Sequence, residues 1–148
     1  MAPITETPSM LAGGCHCGAI TLAFSTPQVP ADTAPRACDC SFCRAHGAAW
    51  VSDAAAQLVL HAPRPGRIRR YRQGSLAAQF LLCGDCGVLV AVVFEDGART
   101  YAAVNARCLQ ARDAFAPVVP ASPQTLAPEE KTARWRQLWI ADVRWAND

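Results

Sequence analysis

Apolar and polar positions alternate along much of the chain with the period of a β-strand. Residues 19–24 (AITLAF) alternate apolar with small or polar side chains, and short apolar, β-branched or aromatic runs follow at 58–60, 79–82, 88–94 and 100–104. Turn chemistry separates the runs: Pro63-Arg64-Pro65-Gly66, Gln73-Gly74-Ser75 and Glu95-Asp96-Gly97, the last reading as a hairpin loop. An antiparallel, mainly β domain is expected. Two stretches break the pattern. Residues 25–35 carry Pro27, Pro30 and Pro35 without periodicity and read as an exposed loop, a candidate rim for any site. Prolines at 117, 120, 123 and 128 mark a link over 116–128. Beyond it Trp135, Leu138, Trp139 and Val143 recur at three- and four-residue spacing, which predicts an amphipathic helix over 129–148. Pro128 suits its first turn, and Glu129 and Glu130 sit where the positive end of the helix dipole favours acids. The stripe is expected to pack on the sheet; a contact between two copies in a homodimer is the alternative.

Composition narrows the class. At 148 residues the chain has room for a single domain. With 51% hydrophobic against 18% charged residues it has the apolar material for a core, which excludes disorder over its whole length. A net charge of +2 is too small for a dedicated nucleic-acid binder or a protein drawn to anionic membranes. No apolar run is long enough to span a bilayer. Residues 1–12 have neither the basic nor the apolar region of a secretory signal and read as a flexible terminus, so the cytoplasm is the expected compartment.

Cysteine is the unusual component. Eight in 148 residues fall below the share of about 8–10% that marks a disulfide scaffold, and a reducing cytoplasm would not keep disulfides. Seven fall into three groups: Cys15-His16-Cys17, Cys38-Asp39-Cys40-Ser41-Phe42-Cys43 and Cys83-Gly84-Asp85-Cys86. Thiolates around a tetrahedral zinc lie roughly 3.8 Å apart, so neighbouring ligands come from short spacings and the rest from a distant strand. Gly84 and Gly87 permit the tight turn such a knuckle needs. The natural division is four plus three. Cys15, Cys17, Cys83 and Cys86 make a closed structural zinc site, and Cys38, Cys40 and Cys43 make a second site with an open fourth position. Completion of the triplet by His46, His16 or Cys108 is the alternative, and iron in place of zinc is another. Cys108 stands apart as a buried thiol, and His61 reads as a surface residue.

Three ordered motifs, Gly14-Cys15-His16-Cys17-Gly18-Ala19, Cys38-Asp39-Cys40-Ser41-Phe42-Cys43-Arg44 and Phe80-Leu81-Leu82-Cys83-Gly84-Asp85-Cys86-Gly87, resemble those of the glutathione-dependent formaldehyde-activating enzyme family, which includes centromere protein V. The resemblance covers a zinc-binding β domain at 13–115. It implies several coiled antiparallel sheets, two zinc ions per chain, and a carbon–sulfur lyase activity joining glutathione and formaldehyde reversibly. It also implies that the outer pairs hold a structural zinc and the triplet one with an exchangeable ligand. Such chemistry needs a thiol and a small aldehyde as partners, and cations for glutathione's carboxylates. Arg44 is the candidate nearest the triplet, with Arg36 and Arg72 behind it. A double-zinc scaffold without chemistry and a thiol or metal sensor are the rival readings.

Overall fold

The structure, a computed structural model, describes residues 9–146. In chain order its strands are β1 (Ser9–Gly14), β2 (Thr21–Thr26), β3 (Arg36–Cys38), β4 (Trp50–Val51), β5 (Gln57–His61), β6 (Ile68–Tyr71), β7 (Ala78–Cys83), β8 (Leu89–Asp96), β9 (Arg99–Asn105), β10 (Val119–Ala121) and β11 (Asp142–Ala146). Two helices join them, α1 (Ser41–His46) and α2 (Pro128–Leu138). The strands form a four-stranded sheet, β1-β2-β5-β11, and a seven-stranded one, β10-β3-β4-β9-β8-β7-β6.

The alternation seen in the sequence is what lets the larger sheet separate two cores. Leu81 and Cys83 of β7, Val90 and Val93 of β8, and Ala102 and Val104 of β9 turn toward the smaller sheet, where Leu22, Phe24, Leu58 and Leu60 meet them. The opposite side chains, Phe80, Leu89, Val92, Phe94, Tyr101 and Ala103, pack beneath Trp50, Cys43 and Trp139. With both faces covered, β8 is buried from Leu89 to Phe94, which explains its continuous apolar run. A two-residue turn at Gly97 and Ala98 closes β8 onto β9, with Asp96 opposite Arg99, as the hairpin signal predicts.

The mainly β class holds, with two mixed sheets in place of purely antiparallel ones. β10 pairs in parallel with β3, and β11 in parallel with β5. Both correct the expected boundaries. β10 lies inside the Pro-rich link, and Pro120 is tolerated there because an edge strand need not donate on both sides. The helix ends at Leu138, ten residues short of the expected 148, because Ile140 is fully buried and exchanges backbone hydrogen bonds with Ala102 (2.8 and 3.0 Å). The chain then runs into β11, so Val143 belongs to a strand and packs on the first core. At the other terminus, Ser9 to Ala12 lie in β1, paired with β2, so the expected flexibility through residue 12 is wrong for these four. The remainder of that expectation, 1–8, lies outside the described residues.

Of the expected stripe the two tryptophans pack as predicted, while Leu138 is exposed. Trp135 and Trp139 stack on each other (ring centroids 4.7 Å apart), and Trp135 meets the edge of Phe94 (5.3 Å). Arg136 on the outer face pairs with Asp96 (2.6 Å). No helix among the described residues is long and apolar enough to cross a membrane.

Candidate metal centres

The first cysteine group is assembled by the first core. β1 ends at Gly14, the chain turns through Cys15 and Cys17, and the end of β7 brings Cys83 and the following turn brings Cys86. All four sulfurs lie within 4.8 Å of one another. Cys15 and Cys17 are 3.8 Å apart and Cys17 and Cys83 3.6 Å, close to the edge of a thiolate tetrahedron around zinc. Backbone amides aim at the sulfurs: Ile20 N–H donates to Cys15 Sγ (3.2 Å), and those of Asp85 and Cys86 to Cys83 Sγ (3.4 and 3.5 Å). Such donors stabilise negative sulfur, as a metal-bound thiolate requires. A Cβ at Gly84 would meet the Arg67 carbonyl oxygen at 2.9 Å, so the turn needs a residue without one. The donor set therefore fits a closed four-sulfur metal site.

The second group is local. Cys38 ends β3, Cys40 caps α1 and Cys43 lies in its first turn, with the Cys43 amide donating to Cys40 Sγ (3.4 Å). The Gln73 side-chain amide points at the same sulfur (3.9 Å). These three sulfurs also lie within 4.8 Å of one another, and neither His46, His16 nor Cys108 joins them. His46 instead sits against the ring of Phe42 (4.7 Å), and His16 lies in the exposed turn between Cys15 and Cys17. The thiol of Cys108, read from sequence as buried, is half-buried; it points to the Val90 carbonyl (3.6 Å) and is pushed up to about 12, chiefly by desolvation. His61, expected at the surface, is half-buried in β5, opposite Thr21.

Protons divide unequally within each group. The Cys43 thiol donates to Cys38 and helps bring it down to about 6, while the same contact and burial push Cys43 up. In the quartet, burial raises Cys86, but the amides of Val88 and Cys17 and the neighbouring thiols outweigh it and bring Cys86 down to about 6. Each group thus favours a first thiolate at neutral pH, from which metal binding would begin.

What distinguishes the triplet is its opening. Cys38, Cys40 and Cys43 line a cavity of about 510 Å³. Trp50, Phe80, Trp135 and Trp139 form apolar walls, Gln73 and residues 119–126 form a rim, and Arg36, Lys131 and Arg134 also face it. The expected rim at 25–35 contributes no lining residue. Arg44 is exposed on α1 and does not line the cavity, and Arg72 is exposed and donates to the Leu76 carbonyl (3.0 Å). Of the three arginines considered from sequence, only Arg36 reaches the cavity, where it donates to Ser52 Oγ (2.8 Å). Lys131 and Arg134 were missed. They extend the Trp135–Leu138 stripe back by one helical turn, a signal that a reading of apolar positions alone passes over.

Comparison with known proteins agrees with the cysteine pattern. The model of a family described as glutathione-dependent formaldehyde-activating enzyme matches residues 10–122. A crystal structure of a Rhodobacter sphaeroides protein is 22% identical with a TM-score of 0.48, over 91% of this chain and 99% of that one. No curated protein matches the chain.

Proposed function

Because this chain belongs to the glutathione-dependent formaldehyde-activating enzyme family, we propose that it is a zinc-dependent carbon–sulfur lyase-type enzyme acting on the adduct of glutathione, or a related thiol, with formaldehyde or a small aldehyde. The observation that carries this reading is the position of the cysteine triplet: three sulfurs, not four, set in the wall of a cavity of about 510 Å³. That volume lies in the range of small-molecule sites. Cys15, Cys17, Cys83 and Cys86 form a complete shell and serve the fold, whereas Cys38, Cys40 and Cys43 leave a ligand position facing the cavity. A zinc ion bound by the triplet would favour the thiolate form of a bound thiol and polarise an aldehyde oxygen.

The chain's own residues then do the positioning. Trp50, Phe80 and Trp139 give the reacting carbon an apolar wall that limits water. The Gln73 amide lies against Cys40 Sγ (3.9 Å), where it would favour a thiolate at that ligand. In the forward direction the thiol sulfur bonds to the aldehyde carbon, the carbonyl π bond breaks, and the thiol proton ends on the new hydroxyl oxygen; the reverse reaction returns each. Holding both reactants at one wall supplies much of the rate advantage for so simple an addition.

The test follows exchange between free glutathione, ¹³C-formaldehyde and S-hydroxymethylglutathione by NMR. Zinc-loaded protein should accelerate exchange well beyond the spontaneous rate, and Cys43→Ser should abolish the acceleration. Equal rates with wild type and Cys43→Ser would remove the proposal.

A further inference from the structure

The cavity beside the triplet is lined by three cations, Arg36, Lys131 and Arg134, and among the described residues by no aspartate or glutamate. That imbalance is marked in a protein whose net charge is only +2. Arg36 is half-buried and commits one guanidinium nitrogen to Ser52 Oγ (2.8 Å). Nearby acids are engaged elsewhere. Asp39 accepts from Ser122 (2.7 Å), and Glu130, one turn before Arg134, accepts from the Ala127 amide at the start of α2 (3.1 Å). Three cations gathered on one wall, with no carboxylate among the described lining residues, make a local field that favours an anionic ligand.

We infer that Arg36, Lys131 and Arg134 form an anion subsite that receives the carboxylates of the thiol substrate, with helix α2 as the element that sets specificity for acidic over neutral thiols. The subsite rests on the lyase reading and deepens it. Its two helical members, Lys131 and Arg134, lie outside residues 10–122, the part matched by the family model. Lys131 and Arg134 stand three residues apart on α2, on the side where Trp135 and Trp139 anchor the helix. A ligand of glutathione's kind can thereby place its apolar stem on the indoles while its two carboxylates meet the cations.

The test uses S-methylglutathione, which keeps both carboxylates but has no thiol to ligate a metal, and its diethyl ester, which has neither charge. Binding to zinc-loaded protein is measured by calorimetry at low and at 0.5 M salt. Wild type should bind the acid about tenfold or more tightly than the ester, with the difference shrinking at high salt. The double variant Lys131→Gln/Arg134→Gln should lose about tenfold in affinity for the acid and little for the ester, with its melting temperature and metal content as controls of folding. Equal affinity for acid and ester, or a double variant that binds like wild type, overturns the subsite. Charge-dependent binding without adduct exchange would remove the lyase reading and leave the subsite standing. Exchange that accepts 2-mercaptoethanol as readily as glutathione would do the reverse.

Discussion

Replacing Gly14 by alanine tests whether the first cysteine turn is held by the geometry described here. A Cβ at Gly14 would lie 2.3 Å from the Ile20 carbonyl oxygen and 2.9 Å from the Thr21 Cα, both backbone atoms of the neighbouring strand, and its φ of +154° is one that L residues rarely adopt. Relief requires Ile20 to move, yet Ile20 is bound to the cysteine turn twice. Its carbonyl accepts from the Cys15 amide (3.0 Å), and its amide donates to Cys15 Sγ (3.2 Å). Backbone strain of about 1–3 kcal/mol, a lost neutral hydrogen bond of about 1 kcal/mol and a weakened thiolate contact of about 1.5–3 kcal/mol sum to about 3.5–7 kcal/mol. Against a total stability of about 5–15 kcal/mol, that should lower the melting temperature of the metal-loaded protein by about 10–20 °C. Gly18→Ala is the control: it shares a positive φ (+84°) but would meet nothing within 4 Å, so only local strain of about 1–2 kcal/mol applies. Scanning calorimetry of both variants, with competition by a chromogenic zinc chelator, separates the cases. If Gly14→Ala melts within about 3 °C of Gly18→Ala and holds metal as well, the close approach of β1 to β2 does not secure the site.

A strong chelator should unfold the domain or lower its melting temperature sharply, because the quartet joins the start of the chain to the end of β7 and metal binding there adds directly to folding free energy; an unchanged transition after metal loss is confirmed would contradict this. Leu60→Ala, at a side chain fully buried between the sheets, should cost about 3–4 kcal/mol in urea unfolding, and a loss below about 1 kcal/mol would mean the first core is not packed as described. Cys108, held near 12 by burial, should resist iodoacetamide at pH 8 in the folded protein and react once unfolded; mass spectrometry showing equal labelling would refute its burial. The same raised value favours the folded state fully at pH below about 9, the unfolded thiol's range, and that contribution is lost as the pH climbs from 9 toward 12. Cys108→Ala should therefore show a shallower decline in melting temperature over that interval than wild type.

How far the sequence could be read follows from how far apart the interacting residues lie. The three cysteine groups are legible because metal geometry sets spacings of two or three residues within each, and the four-plus-three division needed only counting. β2, β5, β7, β8 and β9 are legible because each buries side chains with period two or is covered on both faces. β6 was not, since Arg69, Arg70 and Tyr71 are exposed on the last strand of the larger sheet and leave no apolar trace. α1 was hidden for a different reason: it has six residues and its cap is Cys40, whose sulfur takes the place of the usual oxygen acceptor from the Cys43 amide. β10 and β11 escaped because their partners, β3 and β5, lie about eighty residues away in parallel register, where no local signal reaches.

The same reasoning explains why the cysteines alone do not specify the function. Quartet and triplet look alike as spacings, and their difference arises only when segments distant in sequence close around the second one: Arg36 and Trp50, then Gln73 to Phe80, then residues 119–139. The quartet sits against the core between the sheets, with Cys15 and Cys83 buried, where a metal held by all four sulfurs would add to the stability of the fold. The triplet sits against the second core, covered by α1 through Phe42 and Cys43 and by α2, which is carried on a Pro-rich segment and held by Trp135 and Trp139. Under the proposed function the chemistry falls to the triplet, part of whose cavity wall comes from residues 119–139. Exchanging α2 for a helix that keeps both indoles but lacks Lys131 and Arg134 should alter which thiols are accepted while leaving both metal sites intact, and loss of metal from the triplet in such a chimera would show that α2 supports the ligands and not the substrate.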